Sequence, residues 1–298
     1  KIMGEIKVSY NYTQLNISGN EIADTETGET FDISNSVLLK RTETGKISIS
    51  YPFYNFINSK KLIDLIVSGI KDVDLALLIC MSANMSKGEN ICLKNNDAPH
   101  STGSIAAMIG QTIQATKSKI NRLIKLDLLH YGIVNHRRDS GKVYVVNPNF
   151  LKNGILSKVF IKEFFKGSNK VQNKPNMVLY GYDKYFHIDT NNLKKLIPSG
   201  IKLVDLALLI IMSSNLEQEF NICLDQNDKP HTSKSLSKLT TSSQKSVKDK
   251  LDILVDNGFL HHGYTRRKKI GKVYFVNIHF VKETQSFDSS IRELFNDF

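Results

Sequence analysis

Apolar and polar positions along the chain change their period in a set order. Residues 72–85 place Val73, Leu77 and Cys80 or Met81 on one helical stripe, which predicts a helix buried along one side. Residues 90–94 form a short apolar run suited to a strand. Ser101 or Ser104 then caps a short helix that runs to Ile109 and stops at Gly110, and a longer amphipathic helix follows over 113–126. Residues 128–135 and 142–147 read as two strands around the polar tip 136–141. Outside this block, residues 1–60 read as short strands and turns with Gly28 and Gly45 in polar turns. Residues 158–166 read as an amphipathic helix, and residues 286–298 as another.

The same order returns later in the chain. The stretch SGIKDVDLALLI beginning at Ser68 recurs as SGIKLVDLALLI beginning at Ser199, an offset of 131. Asn90, Ile91, Cys92 and Leu93 match Asn221, Ile222, Cys223 and Leu224 at that offset, as do Pro99-His100 and Pro230-His231. The GKVY stretch at Gly141 matches that at Gly271 at an offset of 130, so one residue is lost in the polar tip just before it. A weaker match of Tyr51 and Ile57 to Tyr182 and Ile188 extends the unit upstream. A repeat of this length is one domain occurring twice rather than a solenoid.

Helix, strand, helix, tight turn, helix and hairpin is the order of a winged helix-turn-helix. The expected fold is therefore α+β: two tandem winged helix-turn-helix domains related by internal duplication, behind a short β-rich N-terminal segment. The expected boundaries are a segment 1–60, a first domain 61–153, a helical linker 154–177, and a second domain 178–298 that ends in a helix.

A recognition helix buries one face and bares the other to the major groove. The buried stripe is expected at Thr116, Ile120, Leu123 and Ile124, and again at Val247, Leu251, Leu254 and Val255. The turn and bare face then carry Gln111, Thr112, Gln114, Ala115, Ser118, Lys119 and Arg122 in the first copy. Their counterparts in the second are Ser242, Ser243, Lys245, Ser246, Lys248 and Lys250. Gln can pair with adenine through two hydrogen bonds, and Lys suits guanine or phosphate. The hairpin tips are cationic in both copies, with His136, Arg137 and Arg138 in one and Arg266, Arg267, Lys268 and Lys269 in the other. Because GQTIQAT from Gly110 differs from TSSQKSV from Thr241, two unlike half-sites are expected.

Charge points the same way. The 298 residues hold 40 Lys and Arg against 29 Asp and Glu, a formal net charge of +11, which favours a polyanionic partner through counterion release. No apolar run is long enough to span a bilayer, and the first ten residues lack a continuous apolar segment, so a cytoplasmic chain with no membrane partner is expected.

The three cysteines, Cys80, Cys92 and Cys223, are odd in number and lack CxxC spacing, so they read as reduced core residues. The recurrence of Cys92, His100 and His130 as Cys223, His231 and His261 could suggest a metal site, but close ligand pairs are lacking, and neither metal nor cofactor is expected. Rolling-circle chemistry would need a His-x-His pair and a nucleophilic Tyr. No His-x-His occurs, and Tyr131, Tyr144, Tyr264 and Tyr274 sit in or beside the hairpin strands, where packing is the expected role. The phosphate-binding GxxxxGK[ST] pattern is absent too. Catalysis is not expected.

Three stretches carry a family resemblance: DTETGE from Asp24 with KRTETGK from Lys40, the helix-turn-helix region 105–129, and VYVVNPNFLKNG from Val143. Together they resemble the RepL family of plasmid replication proteins from Firmicutes, which groups with MarR-like winged helices. The resemblance covers the first half of the chain and implies a DNA-binding initiator that recognises an origin and influences copy control. The second copy departs from the typical member, which has one winged helix. The expected function is a replication initiator of a plasmid or mobile element, binding double-stranded DNA with host replication proteins as further partners. It would act as a monomer with an internal pseudo-dimer or as a homodimer. A transcriptional repressor of the same architecture is the close alternative, and a protein-binding module the distant one.

Overall fold

The computed structural model describes residues 15–18, 21–24, 30–32, 38–41, 47–50, 54–86, 89–136, 139–153, 156–157, 177–178, 184–217, 220–264, 272–282 and 295. The backbone begins with strands β1 (Leu15–Ser18), β2 (Glu21–Asp24), β3 (Thr30–Asp32), β4 (Leu38–Arg41) and β5 (Ile47–Ser50), paired as β1-β2-β3 and β4-β5. Then β6 (Tyr54–Asn58) leads into α1 (Ser59–Val67), α2 (Asp72–Ser82), α3 (Thr102–Met108), α4 (Ile113–Lys125), the hairpin β7 (Leu129–His136) and β8 (Asp139–Val146), and β9 (Leu151–Lys152). After β10 (Leu156–Ser157) and β11 (Met177–Val178), which pair with each other, the order repeats. It runs β12 (Tyr185–Asp189), α5 (Thr190–Leu196), α6 (Leu203–Met212), α7 (Ser233–Leu239), α8 (Gln244–Asp256), the hairpin β13 (Leu260–Tyr264) and β14 (Lys272–Val276), and β15 (Val281–Lys282).

Local chemistry accounts for the starts and stops of these helices. Side chains of Asn58, Ser101, Thr112, Asp189, Thr232 and Ser243 accept hydrogen bonds from backbone N–H groups in the first turns of α1, α3, α4, α5, α7 and α8. In α3 and α7 the cap is reciprocal, through Ser104 and Ser235. After α4 and α8 the chain enters a left-handed turn, held by Asp127 at φ 57° in one unit and Gly258 at φ 72° in the other. The Asn of the repeated Asn-Ile-Cys-Leu stretch has a defined role. Asn90 and Asn221 both take positive φ, are buried, and donate side-chain N–H to the carbonyls of Val146 and Leu151, and of Val276 and Val281. Each asparagine thus ties the hairpin to the strand that follows it.

The two units meet in a shared sheet of order β15-β12-β6-β9. β6 and β12 pair antiparallel with Phe56 opposite His187, Tyr54 opposite Asp189 and Asn58 opposite Tyr185. Phe56 and His187 are repeat equivalents, so each strand meets its own counterpart, and a quasi-two-fold axis passes through that pair. β9 beside β6 and β15 beside β12 complete the same symmetry. The pleat sends Ile57, Phe186, Ile188, Leu151 and Val281 into the helices, where all are buried in one core drawn from both units. At the centre of that core α2 packs on α6.

The structure differs from the sequence expectation in three places. α2 is buried on all sides from Leu75 to Ser82, while Val73 of the expected stripe is only half-buried, because α2 lies between α6 of the other unit and α4 of its own. The boundary between residues 60 and 61 falls inside α1, since the first unit starts at β6. Helix α2 also ends at Ser82, earlier than the apolar pattern over 72–85 suggests. The expected TGE motifs lie mostly in 25–29 and 42–46, outside the described residues. So do the expected helices 158–166 and 286–298, Phe295 apart, and most of the linker.

The opposite face of the sheet holds an aromatic and cationic cluster. The buried His187 ring lies 4.6 Å from Phe56, 5.2 Å from Tyr185 and 5.9 Å from Tyr54, and its Nδ1 meets the Lys282 carbonyl at 3.2 Å. Nζ of Lys152 lies 5.6 Å over the Phe56 ring, and Nζ of Lys282 lies 4.5 Å over Tyr54. Burial, aided by these lysines, pushes His187 from 6.5 down to about 3. Between those values the unfolded chain holds a proton that the folded chain does not, so stability falls as pH falls through this window. His187→Phe, which restores the residue of the equivalent position, makes the slope of unfolding free energy against pH shallower between about pH 6 and pH 4. Urea unfolding across that range reads the slope. His100 and His231, also lowered by burial, contribute with the same sign, and the carboxyls of Asp189 and Asp205, raised by burial, with the opposite one.

Candidate nucleic-acid interface

Each unit offers one long amphipathic helix with its apolar side turned inward. In α4, Thr116, Ile120 and Leu123 are buried against α2 and α3, and in α8, Val247, Leu251 and Leu254 are buried against α6 and α7. Ile124 is 36% exposed and Val255 half-buried, so the buried stripe is narrower than the sequence suggested. The hairpins follow directly, and each hairpin gains a bridge to a short third segment, Ile91 to Val145 and Ile222 to Phe275. Thr102 Oγ1 and the Tyr144 hydroxyl, 2.8 Å apart, link α3 to the first hairpin.

The expected DNA-facing residues divide into three groups. Gln114, Ser118, Lys245 and Lys248 are exposed, and Ala115 and Ser246 are half-buried beside them. Thr112 and Ser243 are exposed as well, but their hydroxyls cap α4 and α8 by accepting from the N–H groups of Ala115 and Ser246. The remaining five helix and turn residues, Gln111, Lys119, Arg122, Ser242 and Lys250, are held by neighbours. Lys119 Nζ donates to Gln111 Oε1 at 2.6 Å, and at the equivalent place Lys250 donates to Ser242. Lys250 is only 7% exposed, which corrects its expected place on the bare face; its charge acts on the buried carboxylate of Asp205.

Arg122 is likewise drawn inward. Its Nε and Nη2 donate to Asp74 Oδ2 and Oδ1 at 2.6 and 2.7 Å, a forked pair with a carboxylate whose side chain is 2% exposed. Nη1 donates to Ser118 Oγ at 3.0 Å. In the second unit Ile253 occupies the position of Arg122, so the buried Asp205 lacks this fork. Burial pushes the Asp205 carboxyl above its ordinary range, opposed by its backbone hydrogen bond at Lys202 and by the charges of Lys250 and Lys202.

Further residues complete the outer stripe of α4. Gln114, Ser118, Asn121 and Lys125 stand at i, i+4, i+7 and i+11 and are all exposed, with Lys117 exposed beside them. Helical spacing alone could have found Asn121 and Lys125. The corresponding stripe of α8 is Lys245, Asp249, Asp252 and Asp256, again all exposed. On the hairpins, Tyr131 is half-exposed and lies 4.9 Å from the Tyr144 ring, with Lys142 Nζ 5.5 Å above it, while Tyr264 is 80% exposed. The tip residues Arg137, Arg138, Arg266, Arg267, Lys268 and Lys269 lie outside the described residues. Of His136 only the backbone, paired with Asp139, is described.

The remaining polar candidates have local partners. His100 Nδ1 lies 3.0 Å from Ser104 Oγ, and His130 Nε2 lies 2.7 Å from Asp127 Oδ1. Cys80, Cys92 and Cys223 are buried free thiols, and burial pushes Cys80 up to about 12 and the other two higher still. Among the described residues, no group of three or more His, Cys, Asp or Glu side chains is placed to hold a metal ion, and no helix is long and apolar enough to cross a membrane.

No family model matches the chain, and no curated protein matches it. Among solved structures, the DIP2311 protein from Corynebacterium diphtheriae is similar over 80% of this chain, at 9% identity and a TM-score of 0.16. The match spans about a third of that protein, 33% of its chain, and at this TM-score carries no argument about fold or function.

The Arg122 fork has a measurable consequence. Arg122→Ala strands a buried carboxylate and lowers unfolding free energy by about 1–3 kcal/mol. Adding Asp74→Asn recovers part of that loss, a coupling that a double-mutant cycle by urea unfolding detects. Additive losses would show that the pair is not coupled.

Proposed function

We propose that the chain binds double-stranded DNA sequence-specifically, as two winged helix-turn-helix units that present α4 and α8 to the duplex. The observation that carries this reading is the pairing of equivalent amphipathic helices, each buried on one side against two helices and bare on the other, on a quasi-two-fold frame. A two-fold frame matches the pseudo-symmetry of duplex DNA. The net charge of +11 supplies the long-range attraction. In this reading Gln114, Ser118 and Asn121 read base edges, Lys117 and Lys125 neutralise phosphates, and Thr112 and Ser243 present helix N-termini. Arg122 and Lys250 act as positioning residues. The basic hairpin tips hold flanking phosphates.

The resemblance of residues 24–46, 105–129 and 143–154 to RepL proteins supports a role as replication initiator of a plasmid or mobile element. Binding at an origin followed by duplex opening distinguishes this from repression, in which occupancy of a promoter alone suffices.

Fluorescence anisotropy on labelled duplexes over a salt series tests the reading. The full chain binds duplex DNA with log affinity falling linearly against log salt, and Lys117→Ala with Lys125→Ala weakens all sequences while reducing the slope by about 2. Gln114→Ala instead changes preference at particular base pairs. Absence of duplex binding at low salt would overturn the proposal.

A further inference from the structure

The quasi-two-fold frame offers α4 and α8 to a duplex in equivalent ways, yet the chemistry of their outer stripes is opposite. α4 contains Lys117, Lys119, Arg122 and Lys125 and no acid, a net of +4; α8 contains three lysines and three aspartates, a net of zero. The contrast sharpens on the exposed side. Equivalent positions Gln114, Ser118, Asn121 and Lys125 in α4 become Lys245, Asp249, Asp252 and Asp256 in α8. Lys250, the cation that could offset these aspartates, is turned inward beside Ser242 and Asp205.

Helix formation does not account for this pattern. α8 has no acid in its first turn and no base in its last, with Lys245 at its positive end and Asp256 at its negative end, against the helix dipole. α4 does the reverse at its C-terminal end, where Arg122 and Lys125 complement the dipole. Burial does not account for it either, because Asp249, Asp252 and Asp256 are exposed. What the aspartates do is set a negative stripe on the surface that, on the two-fold frame, would face the phosphates of a second half-site. A like charge held there is repelled by the backbone and disfavours close docking.

We infer that DNA binding is one-sided: α4 seats fully in the major groove, while Asp249, Asp252 and Asp256 hold α8 off the second half-site so that only its N-terminal Lys245 and Lys248 reach phosphate. This rests on the DNA-binding reading and assigns its polarity. The strong half-site belongs to the first unit, and the protein sits on DNA in one orientation. The weak half-site is the adjustable one, because its affinity is limited by repulsion rather than by missing geometry.

The test compares the full chain with a variant carrying Asp249→Asn, Asp252→Asn and Asp256→Asn, using a duplex selected by the full chain from a random pool. Anisotropy over a salt series and hydroxyl-radical footprinting read the result, and thermal melting confirms that the exposed substitutions leave the fold intact. The variant gains about tenfold or more in affinity at low salt, and protection extends into the second half-site. Wild-type binding with an unchanged variant affinity and footprint overturns the one-sided arrangement while leaving DNA binding in place. No duplex binding by either chain overturns both. Lys117→Ala with Lys125→Ala in the wild-type background removes most protection, whereas Lys245→Ala with Lys248→Ala has a smaller effect; the reverse ranking also overturns the inference.

Discussion

The antiparallel pairing of β6 with β12 is the constraint on which the rest of the arrangement depends. Because Phe56 faces His187, its own repeat equivalent, the two units are placed about a quasi-two-fold axis. α2 and α6 must then meet across that axis, and both are apolar nearly all round because each has neighbours on every side. A helix of this kind could not sit on the surface of an independent domain. The strand pairing and the helix packing therefore require each other, and the presentation of α4 and α8 follows from both.

Much of this was legible in the residues. The period of the apolar positions located α2, α4, α6 and α8 and both hairpins, and the repeat showed that they occur twice. The joining of the units was harder to read. β6 and β12 are five residues each, alternate weakly, and differ at their central position, Phe in one and His in the other. β9 and β15 are two residues each, too short to carry a pattern. Strand partners are tertiary facts, and periodicity within one segment does not name the segment that will lie beside it.

The outer faces of α4 and α8 were legible in outline and misleading in detail for a related reason. Residue type marks Arg122 and Lys250 as surface cations, but Asp74, 48 positions away, draws Arg122 inward, and Ser242 in the turn before α8 accepts from Lys250. A buried carboxylate at the start of α2 needs a partner, and the adjacent α4 supplies one through Arg122. Helical spacing from Gln114 reaches both Asn121 and Lys125. The aspartates of α8 stand at the positions equivalent to Ser118, Asn121 and Lys125 of α4.

The most direct test of the account is native-state hydrogen exchange of the amides in α2 and α6. If the shared sheet and the α2 to α6 packing make the two units one cooperative body, the slowest amides between Leu75 and Cys80 and between Leu206 and Met212 exchange through a single opening of equal free energy, equal to that of global unfolding. Two distinct opening free energies, one for each helix, would contradict it.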